Sequence, residues 1–141
     1  MRVDKKSLFL SVGICLLPIL IGVYYYGVLP EQIAVHFNAK GAPDNFVSKT
    51  HAIIGIPIFL AIVQVIISLV VDFDKTPKKG AFVIKAIIPV ISVLIQGGLI
   101  AYALDNNFNA PQLTVFVIGI LFIILGNYLP KKEFWGKYNF N

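Results

Sequence analysis

Hydrophobic and polar residues are strongly segregated along this chain of 141 residues. Four long apolar runs lie at about residues 7–29, 52–71, 81–104 and 113–129, separated by short polar stretches. A helix needs about 20 mostly apolar residues to cross the hydrocarbon core of a bilayer, and each run meets or approaches that length. The pattern therefore predicts an all-α integral membrane protein with four transmembrane helices, forming a single membrane domain over residues 1–141.

Three of these runs contain a proline, namely Pro18, Pro57 and Pro89. Proline removes one backbone donor from a helix and bends it. Inside a helix bundle, neighbouring helices can satisfy the backbone groups that proline leaves unbonded. We therefore expect three kinked helices that are held by their neighbours.

Composition agrees with a membrane protein. Hydrophobic residues make up 57% of the chain and charged residues 13%, against about 45–50% and about 25% in soluble domains. The formal net charge of +5 comes from lysines that flank the apolar runs, so membrane lipid is the expected partner and nucleic acid is not. The single cysteine, Cys15, lies in the first run and excludes an intramolecular disulfide.

Basic residues alternate between the polar segments in a way that predicts orientation. Nine of them lie at the N-terminus, in the loop 72–80 and in the tail 130–141, whereas the segment 30–51 has only Lys40 and Lys49. Short loops rich in Lys and Arg stay in the cytoplasm. We therefore predict that both termini, the loop 72–80 and the tail are cytoplasmic, and that segment 30–51 is extracytoplasmic.

Several polar side chains lie inside the apolar runs, notably Gln64, Lys85, Ser92 and Gln96. Lys85 lies about 6 Å into the third run, so it can snorkel to the cytoplasmic surface or meet Asp72. Counted by the same rise per residue, Ser92 matches the depth of Gln64 better than Gln96 does. Such groups are more typical of helix packing than of a transport path, because no Asp or Glu accompanies them at depth.

Glycines also fall at positions where helices could approach closely. We expect such contacts at Gly97, Gly98, Gly119 and Gly126, because small residues allow neighbouring backbones to come together in a membrane.

The segment 30–51 is polar and irregular. Residues 33–37, "IAVHF", alternate with β-branched and aromatic side chains, which is typical of a strand. Asn38 and Gly41 occupy turn positions, and Pro43 and Asp44 begin a second turn signal. The segment is therefore predicted to be a short hairpin-like extracytoplasmic loop.

Catalytic chemistry has little support in this sequence. His36 and His51 match no zinc signature, although Asp44 could join them in a weak metal site. Cys15 lies away from both histidines, and the closeness of Ser48 to His51 is only a closeness in sequence. We predict no enzyme activity, no catalytic residue, no metal and no cofactor. His36 either fixes the hairpin to the helix ends by hydrogen bonding or contacts a ligand.

The stretch "LPEQIAVHFNAKGAPDNFVSK" resembles the loop of a small membrane domain at the N-terminus of SdpI-like immunity proteins. That family has approximately L-P-x-x-I-x-V-H-F-N-x-x-G-x-P-D, followed by a basic residue. A second motif, "GNYLP" at residues 126–130, resembles the sequence that closes the transmembrane region after this domain. The matching residues of the loop are Leu29, Pro30, Ile33, Val35, His36, Phe37, Asn38, Gly41, Pro43, Asp44 and Lys49.

The resemblance implies a multi-pass protein of the bacterial plasma membrane that gives immunity to a secreted antimicrobial peptide, as in bacteriocin resistance. It implies a secreted toxin as the outer partner and a cytoplasmic repressor as a signalling partner. Longer family members continue beyond "GNYLP", so the role of a C-terminal half is open, and the tail 130–141 is either an interfacial anchor or a partner site. A small transporter component and a structural membrane subunit are the alternatives. The residues expected to bind toxin or to shape the loop are His36, Phe37, Asn38, Gly41, Pro43 and Asp44, with Gly126 and Asn127 in the second motif.

Overall fold

A computed structural model of the chain describes residues 3–74 and 78–128. The first apolar segment forms two helices, which are separated at Leu17, before Pro18. The second apolar segment begins with a π-helical turn that leads directly into an α-helix. The tail 130–141 lies outside the described residues. In chain order the elements are α1 (Lys5–Leu16), α2 (Pro18–Tyr25), β1 (Gln32–Phe37), β2 (Pro43–Ser48), the π-helical turn (His51–Gly55), α3 (Ile56–Phe73), α4 (Lys78–Leu104) and α5 (Ala110–Tyr128).

Within residues 3–74 and 78–128, four helical segments are long and apolar enough to cross a membrane, which confirms the predicted number there and indicates a membrane protein. The first ends at Tyr25, before the predicted boundary at residue 29, because residues 26–29 form turns that lead into the hairpin. The four segments are Lys5–Tyr25, His51–Phe73, Lys79–Leu104 and Ala110–Asn127.

The helices α1, α3 and α4 pack against one another and form the centre of the bundle. Helix α5 packs on α4, and most of its surface is exposed. The hairpin of β1 and β2 lies at one end of the bundle, which we call the hairpin end. At the opposite end, the backbone N–H of Asp4 donates to Asp72 Oδ2 over 3.0 Å, so α1 begins where α3 finishes.

Among the residues that the structure describes, one of the four predicted glycine contacts is present. A Cβ added at Gly98 in α4 would lie 3.0 Å from the Leu113 side chain of α5, so Gly98 allows these helices to approach. A Cβ at Gly97, Gly119 or Gly126 would meet nothing within 4 Å among the described residues, so no close helix contact is observed there at these three positions.

A hydrophobic core connects the hairpin to the helices below it. Strand β1 contributes Ile33, which is 1% exposed, and the π-helical turn contributes Ile53, also 1% exposed. Burying an aliphatic side chain of this size contributes about 1.5–3 kcal/mol. The hairpin is therefore packed onto the bundle. The buried members of this core are Leu29, Ile33, Ala52, Ile53, Leu99 and Ile100.

Candidate functional site

The hairpin is antiparallel and irregular on either side of one histidine. Ile33 pairs with Val47 in regular register, but the register shifts between Ala34 and His36 and again between His36 and Phe37. Bulges of this kind redirect side chains and often occur next to functional sites. Here the irregularity surrounds His36 near the turn end of β1, and the His36 side chain is 67% exposed.

The turn of the hairpin is built by Asn38 and Gly41. The side-chain oxygen of Asn38 accepts hydrogen bonds from the backbone N–H groups of Lys40 (2.9 Å) and Ala42 (3.1 Å). Gly41 has φ +79°, which residues with a Cβ rarely adopt. These two motif residues therefore shape the loop.

His36 is held by a motif residue of the opposite strand. Its Nδ1 atom lies 2.5 Å from Asp44 Oδ1, and the Asp44 side chain is 41% exposed. The hydrogen bond predicted for His36 therefore exists, but it runs across the hairpin and not to the helix ends. The outward ring and carboxylate remain accessible from the surrounding medium.

Phe37 makes the contact with the helix ends. Its ring meets the Tyr102 ring of α4 edge-on, with centroids 4.9 Å apart and planes at 85°. Near the turn, a Cβ added at Gly41 would lie 3.7 Å from Pro111 of α5. Pro43 begins β2 and pairs with Phe37. This side of the hairpin therefore rests on α4 and α5.

Lys49 fixes the other side of the hairpin. Its ammonium group lies 2.8 Å from Glu31 Oε1 and 4.7 Å from the centre of the Tyr26 ring. The hydroxyl of Tyr26 is hydrogen-bonded to Thr50 Oγ1 at 2.6 Å. The Lys49 side chain is only 15% exposed, and its backbone N–H donates to the carbonyl of Glu31. The basic residue that closes the motif is thus a structural clamp at the base of the hairpin.

Ser48 and His51 are in contact, which corrects the view that they are close only in sequence. Ser48 Oγ lies 2.7 Å from His51 Nδ1, and the backbone N–H of His51 donates to the same oxygen over 3.4 Å. His36 and His51 therefore have different partners. Within residues 3–74 and 78–128, no three His, Cys, Asp or Glu side chains are grouped closely enough to hold a metal ion.

An apolar cavity of about 330 Å³ lies beneath the hairpin, between β1, α4 and α5. Val35 and Phe37 line it from the hairpin, and Gly98 and Leu113 line it from the two helices. A second apolar cavity of about 280 Å³ continues between α4 and α5 and shares Leu94, among others, with the first. The exposed His36 and Asp44 therefore sit on a hairpin whose inner side faces apolar space.

Lys85 takes the second of its two predicted alternatives. Its ammonium lies 2.6 Å from Asp72 Oδ1, and the two side chains are 5% and 11% exposed. The lysine is therefore neutralised inside the bundle by a helix neighbour and does not snorkel to a surface.

Gln64 and Ser92 are closely matched in depth, but they do not bond to each other. The Gln64 amide donates to Ser68 Oγ (3.1 Å) and to the carbonyl of Lys85 (2.9 Å). The Ser92 hydroxyl donates to the carbonyl of Cys15 (2.9 Å), and Gln96 donates to carbonyls of the π-helical turn. All three side chains therefore bond backbone carbonyls of neighbouring helices, which agrees with the predicted packing role.

Gly126 and Asn127 lie on the last turn of α5, where both are exposed. They are far from the hairpin, because α5 runs from the hairpin end to the opposite end of α4. The two motifs of the sequence therefore do not form one site among the described residues.

Three residues contribute to the site in ways that the sequence pattern does not indicate. Gly22 lies against the Ile53 side chain, which would overlap with any added Cβ, and Tyr102 meets Phe37. Lys49 matches the sequence motif, but the match does not indicate its contacts with Glu31 and Tyr26. Each depends on contact between distant segments, although Tyr102 at the end of an apolar run was a visible signal for an interfacial aromatic residue.

Comparison with protein-family models matches residues 13–61 to a domain of unknown function, DUF1648. This segment starts in α1, contains the whole hairpin and ends in α3. It therefore includes the loop on which the resemblance to SdpI-like proteins rests. No curated protein matches the chain, and no solved structure matches it.

Proposed function

We propose that this chain is a multi-pass membrane immunity or toxin-sensing protein that binds a secreted antimicrobial peptide at the outer face of a bacterial plasma membrane. The observation that carries the proposal is the docked hairpin: Lys49 and Phe37 hold it on the helix ends, and His36 and Asp44 stay exposed. A simple connection between two helices needs no such anchoring. Function commonly resides in loops that a rigid scaffold positions.

The proposal includes the orientation of the chain in the membrane. Nine basic residues on one side and two on the other favour cytoplasmic termini and an outer hairpin. A secreted peptide would then meet His36 and Asp44 first. An apolar side chain of the peptide could enter the cavity of about 330 Å³ beneath the hairpin. The resemblance extends the proposal to a repressor as a cytoplasmic partner.

The partners of the buried amides argue against a transport pathway. Gln64 and Gln96 are fully buried, and their donors are used by backbone carbonyls of the next helix. They therefore hold helices together. The immunity function explains the exposed chemistry of the hairpin better than a transporter component does.

The test is protection of a sensitive host that expresses the chain, challenged with a panel of secreted peptides, together with binding of each labelled peptide to the cells. His36→Ala and Asn38→Ala are expected to abolish protection while the protein still inserts. Lys40→Ala is the matched control, because Lys40 is exposed in the same turn and lies outside the motif positions. Full protection by both motif variants would contradict the proposal.

A further inference from the structure

Each of the glutamines buried in α3 and α4 lies beside a proline of the other helix. Pro89 in α4 has no backbone N–H, so the carbonyl four residues earlier, that of Lys85, loses its helical partner. The Gln64 amide of α3 donates to that carbonyl over 2.9 Å. An α3 side chain thus replaces the hydrogen bond that Pro89 removes.

The same arrangement occurs in the opposite direction. Within the π-helical turn the N–H of Ile56 donates to the carbonyl of His51, and the next donor in the chain is absent because residue 57 is proline. A backbone N–H at residue 57 would have donated to the carbonyl of Ala52 or Ile53. The Gln96 amide of α4 donates to both, over 3.1 Å and 3.4 Å. Each helix therefore provides a glutamine side chain that bonds a backbone carbonyl next to a proline of the other.

Both amides act through their nitrogen atoms. The side chains of Gln64 and Gln96 are 0% and 1% exposed. Their Oε1 atoms have no hydrogen-bond partner among the described residues. A leucine could fill similar space without leaving an oxygen unbonded, so the bonds from Nε2 to the carbonyls are the feature that distinguishes glutamine at these positions.

We infer that Gln96 is a positioning residue of the hairpin. It fixes the backbone of Ala52 and Ile53, and the Ile53 side chain belongs to the core that also holds Ile33 of β1. Only two residues separate β2 from this π-helical turn. Gln64 lies about 16 Å further along α3, at 1.5 Å per residue, and bonds a carbonyl distant from the hairpin. Gln64 is therefore the matched control.

The test is hydrogen exchange of the backbone amides in β1 and β2, measured on the whole protein in detergent micelles. In Gln96→Leu these amides are expected to exchange about threefold to tenfold faster than in the wild type, as the size of interhelical hydrogen bonds indicates. In Gln64→Leu their exchange is expected to stay at the wild-type rate. Equal hairpin exchange in the two variants would overturn the inference.

Replacement of the proline provides a specific rescue. Pro57→Ala restores a backbone donor to the π-helical turn, so Pro57→Ala with Gln96→Leu is expected to bring hairpin exchange close to that of Pro57→Ala alone. Pro89→Ala with Gln96→Leu is expected to give no such rescue. If Gln96→Leu alone does not fold, recovery of the folded protein by Pro57→Ala and not by Pro89→Ala supports the inference. A Pro57→Ala background that fails to rescue overturns it.

A binding experiment extends the inference to peptide recognition, and this extension rests on the proposed function. If a labelled secreted peptide binds the wild type, Gln96→Leu is expected to weaken its binding about as much as it loosens the hairpin, while Gln64→Leu leaves binding unchanged. Faster hairpin exchange with unchanged binding would contradict the hairpin as the binding site, and the positioning role of Gln96 would stand. Unchanged exchange would contradict the positioning role alone.

Discussion

The Lys85 ammonium group lies 2.6 Å from the Asp72 carboxylate inside the helix bundle. The second oxygen of Asp72 accepts a hydrogen bond from the backbone N–H of Asp4 over 3.0 Å. Asp4 in turn caps α1 by accepting from the N–H of Ser7 over 3.1 Å. One carboxylate thus connects α1, α3 and α4 at the end of the bundle opposite the hairpin.

Removal of one partner of this buried pair is expected to be costly. Lys85→Met leaves the buried Asp72 side chain without its partner, so the free energy of unfolding should fall by about 3–5 kcal/mol. Lys85→Met combined with Asp72→Asn should recover most of the loss, because no unpaired charge remains. Unfolding in mixed micelles by titration with SDS measures both. Lys40→Met is the control at an exposed lysine, and equal stability of Lys85→Met and Lys40→Met would contradict the prediction.

Gly22 is expected to tolerate no side chain. A Cβ at this position would overlap with the Ile53 side chain, so Gly22→Ala should lower the free energy of unfolding by about 1–3 kcal/mol. Gly13→Ala in the same apolar segment meets nothing within 4 Å and should be neutral or slightly stabilising. Thermal unfolding in detergent separates the two variants. A smaller loss for Gly22→Ala when Ile53 is also replaced by Ala would confirm the contact.

The turn of the hairpin is expected to depend on an acceptor at residue 38 and on the absence of a Cβ at residue 41. Asn38→Asp keeps the oxygen that accepts from Lys40 and Ala42, whereas Asn38→Ala removes it. Gly41→Ala places a Cβ at φ +79°, at a cost of about 1–2 kcal/mol. Hydrogen exchange of the strand amides should be fast in Asn38→Ala and Gly41→Ala and near normal in Asn38→Asp. Fast exchange in Asn38→Asp would show that the acceptor is not the deciding feature.

His36 is expected to contribute to recognition and little to stability. Its hydrogen bond with Asp44 is exposed, and even exposed ion pairs contribute only about 0–1 kcal/mol. His36→Ala should therefore unfold much like the wild type while losing peptide binding. Phe37→Ala should lower stability more, because it removes the contact with Tyr102. If His36→Ala destabilises the protein as much as Phe37→Ala, His36 is a structural residue and its direct role in binding is contradicted.

The proposed orientation can be tested with single thiols. Cys15 is the only cysteine and is buried, so it should give little background labelling. Lys40→Cys in the hairpin should react with a membrane-impermeant maleimide in intact cells. Lys6→Cys should react only after permeabilisation. The reverse pattern would place the hairpin in the cytoplasm and remove the basis for binding a secreted peptide there.

The helices and the turn could be predicted because their signals are local. Four apolar runs predict four long helices, and Asn38 and Gly41 form a turn through bonds within five residues. The predicted end of the first helix at residue 29 lies beyond the observed end at Tyr25. Residues Tyr26 to Leu29 are apolar or aromatic but form turns and no helix. Apolar character decides where a segment lies and does not alone decide where its helix ends.

The partners of the buried side chains could not be predicted from depth alone. By depth in the membrane, Ser92 is the nearest polar side chain to Gln64. The Gln64 amide instead donates to the carbonyl of Lys85, which lacks a helical partner because of Pro89. The i−4 rule for proline points to that carbonyl from the sequence, but the helix that supplies the donor depends on the packing. The contact between Lys49 and Tyr26 also could not be predicted, because Tyr26 lies before the hairpin and Lys49 after it, and only the folded hairpin brings them together.

The reciprocal bonds between α3 and α4 have a consequence for biogenesis. The carbonyls of Ala52 and Ile53 are synthesised well before Gln96, which lies in the C-terminal half of α4. If the helices insert during translation, the carbonyls of Ala52 and Ile53 lack the Gln96 donor until most of α4 has been synthesised. Gln64, in contrast, is already in place when Lys85 emerges. We expect α3 and α4 to leave the translocon as a pair, and a chain cut before Gln96 to be a substrate for membrane proteases.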